Sequence, residues 1–265
     1  MTPTHTDCKA KQRTDEWDKI DSDGLKYHTM QWNTPKRSTV AFSDFVREQL
    51  RTSKQVVDLG AGAGAATAEL ARQNASVAFT GFDFSHELTI LGRKLAAEKQ
   101  INNLTFEEGD WFNLRQTSQF DGVISLQTLS WLPDYEAPLL EIFRKMNPNW
   151  IALTSMFYEG DITCRTEVDE HKRNRKSFYN VYSLPAISRL CEAEGYDLTM
   201  STPFEIDIDI DRPRDLDIMG TYTKRVVSNN ANKFERLQIS GPLLMSWYMV
   251  LIQKRGITPR FQQSR

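Results

Sequence analysis

Short apolar runs alternate with amphipathic stretches through the middle of the chain. Val56-Val57-Asp58-Leu59 reads as a buried strand, and Ala63 to Gln73 as an alanine-rich helix. Val77 to Asp83 predicts a second strand and Ser85 to Lys99 a second helix. Leu104-Thr105-Phe106-Glu107 is a third strand, with a polar loop after Gly109-Asp110-Trp111. Phe120 to Leu126 is a fourth, followed by a helix from about Tyr135 to Met146, and Trp150 to Ser155 is a fifth. Apolar strands alternating with helices predict a parallel sheet covered on both faces.

The flanks have a different texture. Met1 to about Asp15 is polar and reads as frayed, and a turn is expected at Gly24. Thr34-Pro35 breaks any helix, and Ser38 or Thr39 is placed to cap the next one. Val40, Phe42, Phe45, Val46 and Leu50 form the apolar face of that helix. Beyond the fifth strand, Phe157 to Tyr182 is polar and aromatic and reads as an excursion from the sheet. A helix follows from about Leu184 to Glu194, stopped by Gly195. Phe204 to Ile210 alternates strictly, which predicts a strand with one dry and one acidic face. Thr221 to Lys224 and Arg236 to Ser240 are expected to pair across a turn near Ser228-Asn229-Asn230. Trp247 to Ile252 is a final apolar strand.

Composition narrows the class. The 265 residues are 26% charged and 40% hydrophobic, which suits one large globular domain with additions. A net charge of -2 gives no electrostatic footprint for nucleic acid or membrane. The one basic run, His171 to Lys176, reads as a solvated face. No apolar run reaches the roughly 18 residues that a bilayer span needs, and Met1 to Asp7 lacks the apolar core of a signal peptide. Cys8, Cys164 and Cys191 are odd in number and far apart, as unpaired thiols of a reducing cytoplasm would be. They and four scattered histidines offer no metal-ligand spacing. The expectation is a soluble, cytoplasmic protein with no metal.

The chemistry concentrates where the first strand ends. Gly60, Gly62 and Gly64 follow Leu59 at alternate positions, so bare backbone approaches a ligand and the next helix presents its N-terminal amides. Asp83 closes the second strand, where a carboxylate can accept from a ribose diol. Asp110 and Trp111 follow the third, suited to an adenine amino group and ring. Two nucleoside cofactors fit. Gly60, Gly62 and Ala65 satisfy the dinucleotide pattern G-x-G-x-x-G/A, with Asp83 near the expected ribose acid. Alternatively, Asp58-x-Gly60-x-Gly62-x-Gly64 resembles motif I of the class I S-adenosylmethionine-dependent methyltransferases. Gly109-Asp110-Trp111 resembles that family's adenine-binding step, and the β-rich tail suits its antiparallel last strand.

The resemblance covers about Gln55 to Ser155 and implies a Rossmann-like, seven-stranded, mostly parallel sheet. Helices cover both faces, the last strand is antiparallel, and a β hairpin is added before it. It implies an enzyme with S-adenosyl-L-methionine as cofactor. Gly60, Ala61 and Gly62 would lie against its amino-acid end, with Asp58 reaching the ammonium through water or orienting the loop. Asp83 would hold the ribose, Phe84 would flank the adenine, Asp110 and Trp111 would receive it, and Gln127 would sit near the sulfonium.

In such enzymes the acceptor meets elements outside the nucleotide half. Residues 1–54 are expected to form an extension and lid, with Tyr27, Gln31 or Arg37 touching the methionine end. Residues 55–265 form the methyltransferase domain, with substrate-facing insertions at about 157–182 and 220–241. Tyr158, Tyr179, Tyr182 and Tyr222 are the candidate acceptor contacts, and His28, Glu159 and His171 the candidate bases for a hydroxyl. Gln127-Thr128-Leu129-Ser130-Trp131 differs from the Asn-Pro-Pro-Tyr step of nucleic-acid amino methyltransferases, which argues against a DNA or RNA acceptor. The expected acceptor is a small molecule, first a hydroxyl of a sugar or sugar-bearing biosynthetic intermediate. Nitrogen of a metabolite, amino acid or protein comes second, and a non-catalytic cofactor-binding partner protein third. The late insertion walls a pocket or makes a homodimer contact.

Overall fold

The computed structural model describes residues 20, 22–117, 119–171, 174–212, 214, 221–227, 234–240, 243–244 and 247–256. The polar start with Cys8, Lys172 and Arg173 of the basic run, and the turn near Ser228-Asn229-Asn230 lie outside them.

Five parallel strands form in the places where the apolar runs predict them. They are β1 (Gln55–Leu59), β2 (Ala78–Asp83), β3 (Leu104–Glu108), β4 (Gly122–Leu126) and β5 (Trp150–Tyr158). The chain continues through β6 (Glu167–Glu170), β7 (Arg175–Phe178), β8 (Tyr182–Ser183), β9 (Tyr196–Phe204), β10 (Thr221–Val227), β11 (Phe234–Ser240), β12 (Leu243–Leu244) and β13 (Trp247–Lys254). The main sheet runs β3-β2-β1-β4-β5-β13-β9, and β8 adds a short parallel pairing with β5. β13 is antiparallel to both β5 and β9. Strand order reverses between β1 and β4, so the carboxyl ends of these two strands open the crevice in which such sheets bind ligands. β10 and β11 pair antiparallel, the added hairpin before the last strand, and β6 pairs with β7 as a second hairpin.

Alternation within each strand supplies two cores. Val57, Leu59, Val123, Ile151 and Leu153 face one side and pack with Leu139 and Ile142. They also meet Ile187 of α7 (Leu184–Ala193), whose Ser183 cap accepts from the Ala186 amide. Val56, Ile124 and Ala152 face the other side. There they meet Phe42 of α2 (Arg37–Phe45), Leu50 of α3 (Arg47–Thr52), Leu70 of α4 (Ala65–Gln73) and Leu95 of α5 (His86–Glu98). Burial on both faces explains why these strands read as continuous apolar runs.

Several local expectations are corrected. The chain does not turn at Gly24, because α1 (Ser22–Gln31) runs through it and carries Tyr27, His28 and Gln31. The following helix breaks at Val46 into α2 and α3, and Lys36 is the cap, with Ser38 and Thr39 inside the first turn. The helix before β5 is α6 (Glu136–Glu141) continued by a wider π turn, Ile142–Met146, which ends at Asn147 in the left-handed region. The largest difference is at 205–210. β9 ends at Phe204, where its pairing with β13 ends at Trp247, and the next residues form no strand; Ile210 meets β10, accepting from the Thr223 amide at 2.9 Å.

Candidate active site

β1 ends where the sheet order reverses, and the chain turns through Gly60, Gly62 and Gly64 at φ of 75°, 58° and 78°. These left-handed values are strained for residues with a Cβ. The turn is anchored by the main chain: the Gly60 and Ala61 amides both donate to the Phe82 carbonyl, at 2.8 and 3.1 Å. Asp83, at the end of β2, accepts from the Gly62 amide through Oδ2 at 2.7 Å and from the Ser85 amide through Oδ1 at 2.9 Å. Each oxygen has a second lone pair, so the carboxylate remains able to receive a hydroxyl pair. Burial pushes its pKa up, against the pull of these amides.

Asp58 lies one turn earlier and is fully enclosed. Its Oδ2 accepts from Thr67 Oγ at 2.5 Å, and its Oδ1 has no partner. Burial, opposed by Thr67 and reinforced by Asp83, raises its pKa to about 7. Trp32 closes this corner by donating its indole N–H to the Ala63 carbonyl at 2.9 Å, tying the end of α1 to the glycine turn. His28 lies over the turn: a Cβ added at Gly62 would stand 3.0 Å from its Cε1. Burial, then Lys36, lowers the His28 pKa, which favours neutral imidazole.

These groups open into one cavity of about 910 Å³. Tyr27, His28, Gln31 and Arg37 line it from α1 and α2. Asp58, Gly60, Ala61, Gly62, Asp83, Phe84, Trp111 and Gln127 line it from the carboxyl edge of the sheet. Its far wall is Trp131, Tyr179, Phe204, Ile206, Ile208, Ile210 and Trp247. Among the described residues four buried side-chain polar atoms lack a partner: Gln31 Nε2, Gln49 Oε1, Asp58 Oδ1 and Ser177 Oγ. Three of the four belong to this cavity's lining.

The other anticipated positions are used differently. Asp110 is not in the cavity wall, although Gly109 and Trp111 are; its Oδ1 accepts from the Phe112 amide at 2.8 Å and shapes its own turn. Trp111 is buried, with its indole N–H donated to the Pro138 carbonyl. Gln127 donates to Ser38 Oγ at 3.1 Å, and Arg37 pairs with Asp207 at 2.5 Å. Tyr182 is fully buried, and its hydroxyl is consumed by the Leu132 carbonyl and the Asn180 amide, so it packs the core and does not reach the cavity. Tyr158 is exposed at the end of β5, outside the lining. Tyr222 also faces away, with the Arg212 guanidinium 5.9 Å from its ring centre, whereas its strand neighbour Thr221 faces in. Glu159 accepts from the Tyr248 hydroxyl at 3.2 Å, and His171 is exposed beside the β6–β7 hairpin; neither lines the cavity. Of the three anticipated bases, His28 alone lines the cavity.

Ser177 and the isoleucines were not anticipated as site residues. The alternation from Phe204 to Ile210 held the signal, since the isoleucines line the cavity while Asp209 pairs with Arg225 and Arg236 and Asp207 pairs with Arg37 at the cavity's edge. Among the described residues no His, Cys, Asp or Glu cluster is placed to hold a metal, and no helix is long and apolar enough to cross a membrane. Cys164 is exposed and Cys191 buried, both as free thiols.

A doubly wound sheet with an antiparallel penultimate strand, a glycine turn after β1 and a carboxylate ending β2 defines a Rossmann-like α/β fold. The chain belongs to the methyltransferase domain family, whose model matches residues 50–202. Over 101 residues it is 36% identical to trans-aconitate 2-methyltransferase of Deinococcus radiodurans, covering 38% of this chain and 37% of that protein. It is 22% identical over 178 residues to malonyl-[acyl-carrier protein] O-methyltransferase of Bacillus cereus, covering 64% and 65%. The chain thus matches less than two thirds of the length of either relative. Its fold is similar to that of a SAM-dependent methyltransferase from Aquifex aeolicus, with a TM-score of 0.52 at 13% identity over 89% of this chain and 100% of the other.

Proposed function

We propose that this enzyme transfers a methyl group to an oxygen of a small molecule held against the far wall of the cavity. One observation carries the reading. Beside the glycine turn, Asp58 Oδ1 lacks a donor and Gln31 Nε2 lacks an acceptor, in the same cavity as the aromatic and isoleucine wall. The ammonium and carboxylate of the methionine end of S-adenosylmethionine supply that donor and acceptor. Asp83 then takes the ribose hydroxyls, with Phe84 and Trp111 along the adenine. Bound there, the cofactor offers a methyl group on a positive sulfur, which aromatic faces tolerate well.

The reaction is an in-line displacement, so alignment supplies much of the rate. For a hydroxyl acceptor, the C–O bond forms as the S–C bond breaks, and the hydroxyl proton must leave. His28, held neutral by its surroundings, is the base we assign. The N-terminal residues 22–54 act as the lid, and the insertions near 157–182 and 220–241 face the acceptor through Ser177, Tyr179 and Thr221. A hydroxyl of a sugar or sugar-bearing intermediate is our first acceptor, since the C–H faces of a sugar ring pack on aromatic walls. The name of the malonyl-[acyl-carrier protein] relative supports oxygen as the receiving atom.

Calorimetry with S-adenosylmethionine, S-adenosylhomocysteine and NAD tests the cofactor site. Asp83→Ala is expected to weaken binding of the first two at least tenfold, and unchanged affinity would show that the ribose contact is misplaced. Methyl uptake by panels of hydroxylated, carboxylated and amine metabolites then tests the receiving atom. Turnover confined to amines would overturn the oxygen reading.

A further inference from the structure

The far wall holds an unexplained polar group. Ser177 of β7 is 5% exposed, and its hydroxyl has no hydrogen-bond partner although the residue lines the cavity. A buried hydroxyl left unpaired costs about 1–3 kcal/mol, so a protein that gained nothing from it would be more stable with alanine there. The cavity wall on this side is mainly apolar, with Lys176 of the same strand also in the lining. Trp131 and Tyr179 meet edge to face with ring centres 5.0 Å apart, and Trp247 packs beside them. Ile206, Ile208 and Ile210 line the same cavity. Of these, Ile208 is 41% exposed, a large apolar side chain on the cavity wall that a ligand would cover. The two unpaired groups at the glycine turn are already matched by the two charges of the cofactor's amino-acid end. Ser177 is left for the acceptor.

We infer that the acceptor is amphiphilic, with an oxygen-bearing head hydrogen-bonded to Ser177 Oγ and an apolar body covered by the isoleucine segment. This rests on the proposed function, because it assumes that the cofactor takes the opposite half of the cavity. Ser177 is a specificity residue: it selects a head that can exchange a hydrogen bond, and the isoleucines reject an acceptor that is polar throughout. A bare sugar satisfies the first demand and leaves the wall exposed to water. A sugar or other polyol carrying an alkyl or aryl group satisfies both.

Octyl β-glucoside, below its micelle concentration, is a probe with both parts, and glucose is the control without the tail. Trp131 and Trp247 report occupancy of the wall through their fluorescence. With S-adenosylhomocysteine present, octyl glucoside is expected to change the emission saturably and glucose at equal concentration is not. Ser177→Ala is expected to weaken octyl glucoside binding about threefold to tenfold, the worth of one hydrogen bond. Ile208→Asp is expected to weaken it further. Ser177→Ala should also leave the melting temperature of the unliganded protein unchanged or higher, which a merely structural serine would not do. No saturable change with octyl glucoside, equal binding by glucose, or a Ser177→Ala variant that melts lower with unchanged binding would each overturn the inference. Calorimetry of S-adenosylhomocysteine with the same variants separates the two readings. Its loss in the wild-type protein condemns the cofactor site, whereas its retention confines any failure to the acceptor subsite.

Discussion

Asp58 is the residue whose charge the fold controls most directly. Enclosed at the end of β1, it has a pKa raised to about 7 in the folded protein, against an ordinary value of 3.8. The folded state therefore holds a proton that the unfolded chain has already lost between these two values. Stability of the unliganded protein falls as pH rises through that window and levels off above about 7. Asp58→Asn removes the penalty of burying the charge. It is expected to melt at a temperature close to wild type at pH 5 and above it at pH 8, measured by thermal unfolding without cofactor. Binding reverses the preference, because a cofactor ammonium favours the carboxylate. Wild-type affinity should rise with pH up to about 7, with proton uptake by buffer visible in calorimetry at pH 6, and Asp58→Asn should bind more weakly without that linkage. A flat pH profile in the wild type would show that Asp58 does not meet the ammonium. Asp58, the glycines and Asp83 were legible in the sequence because their meaning lies in close spacing at successive strand ends. Gln31 and Ser177 were not, since an unpaired group becomes visible only when its surroundings are known.

At the scale of elements, Phe106 shows how the third glycine of the turn differs from the first two. A Cβ at Gly64, at Gly81 of β2 or at Gly92 of α5 would stand 2.4, 2.8 or 2.6 Å from the Phe106 ring, so three elements close on one aromatic side chain. Gly60 and Gly62 line the cavity, whereas Gly64 does not and packs the helix on the sheet. Within a helix, replacing glycine by alanine ordinarily gains about 1 kcal/mol. At Gly92 the methyl would overpack the ring, at a typical cost of about 1–3 kcal/mol. Gly92→Ala is therefore expected to lower the melting temperature, and Phe106→Leu in the same chain to cost less than it does alone. A more stable Gly92→Ala protein would mean that the slot is loose. The alternation at Phe204 to Ile210 taught the opposite lesson. It identified the two faces of the segment correctly and the element wrongly, because a period of two reports which side is dry and says nothing about strand pairing. Here the dry side lines a cavity, and exposed ion pairs of the kind that contribute little to stability hold the acidic residues.

For the whole molecule, alternating strands and helices implied a parallel sheet covered on both faces, and the glycine turn marked the edge on which ligands bind. What the chain order alone did not reveal is that α1, the sheet edge, the β6–β7 hairpin and the isoleucine segment enclose a single cavity. Cofactor binding should therefore be felt far from the glycine turn. Trp32 fixes the end of α1 to the turn through the Ala63 carbonyl, and His28 and Gln31 on α1 face the cavity. A ligand that binds only the folded state at a hundred times its dissociation constant stabilises by about 2.7 kcal/mol. For a chain of this size that corresponds to a rise in melting temperature on the order of 5–10 °C. S-adenosylhomocysteine is expected to produce that rise, and Asp83→Ala to cut it by about half or more at the same concentration. In hydrogen exchange, the ligand should slow residues 22–39 together with 58–66, since the first group closes over what the second holds. Protection confined to 58–66 would make α1 a packed extension and not a lid, and the acceptor would then have to enter past another wall of the cavity.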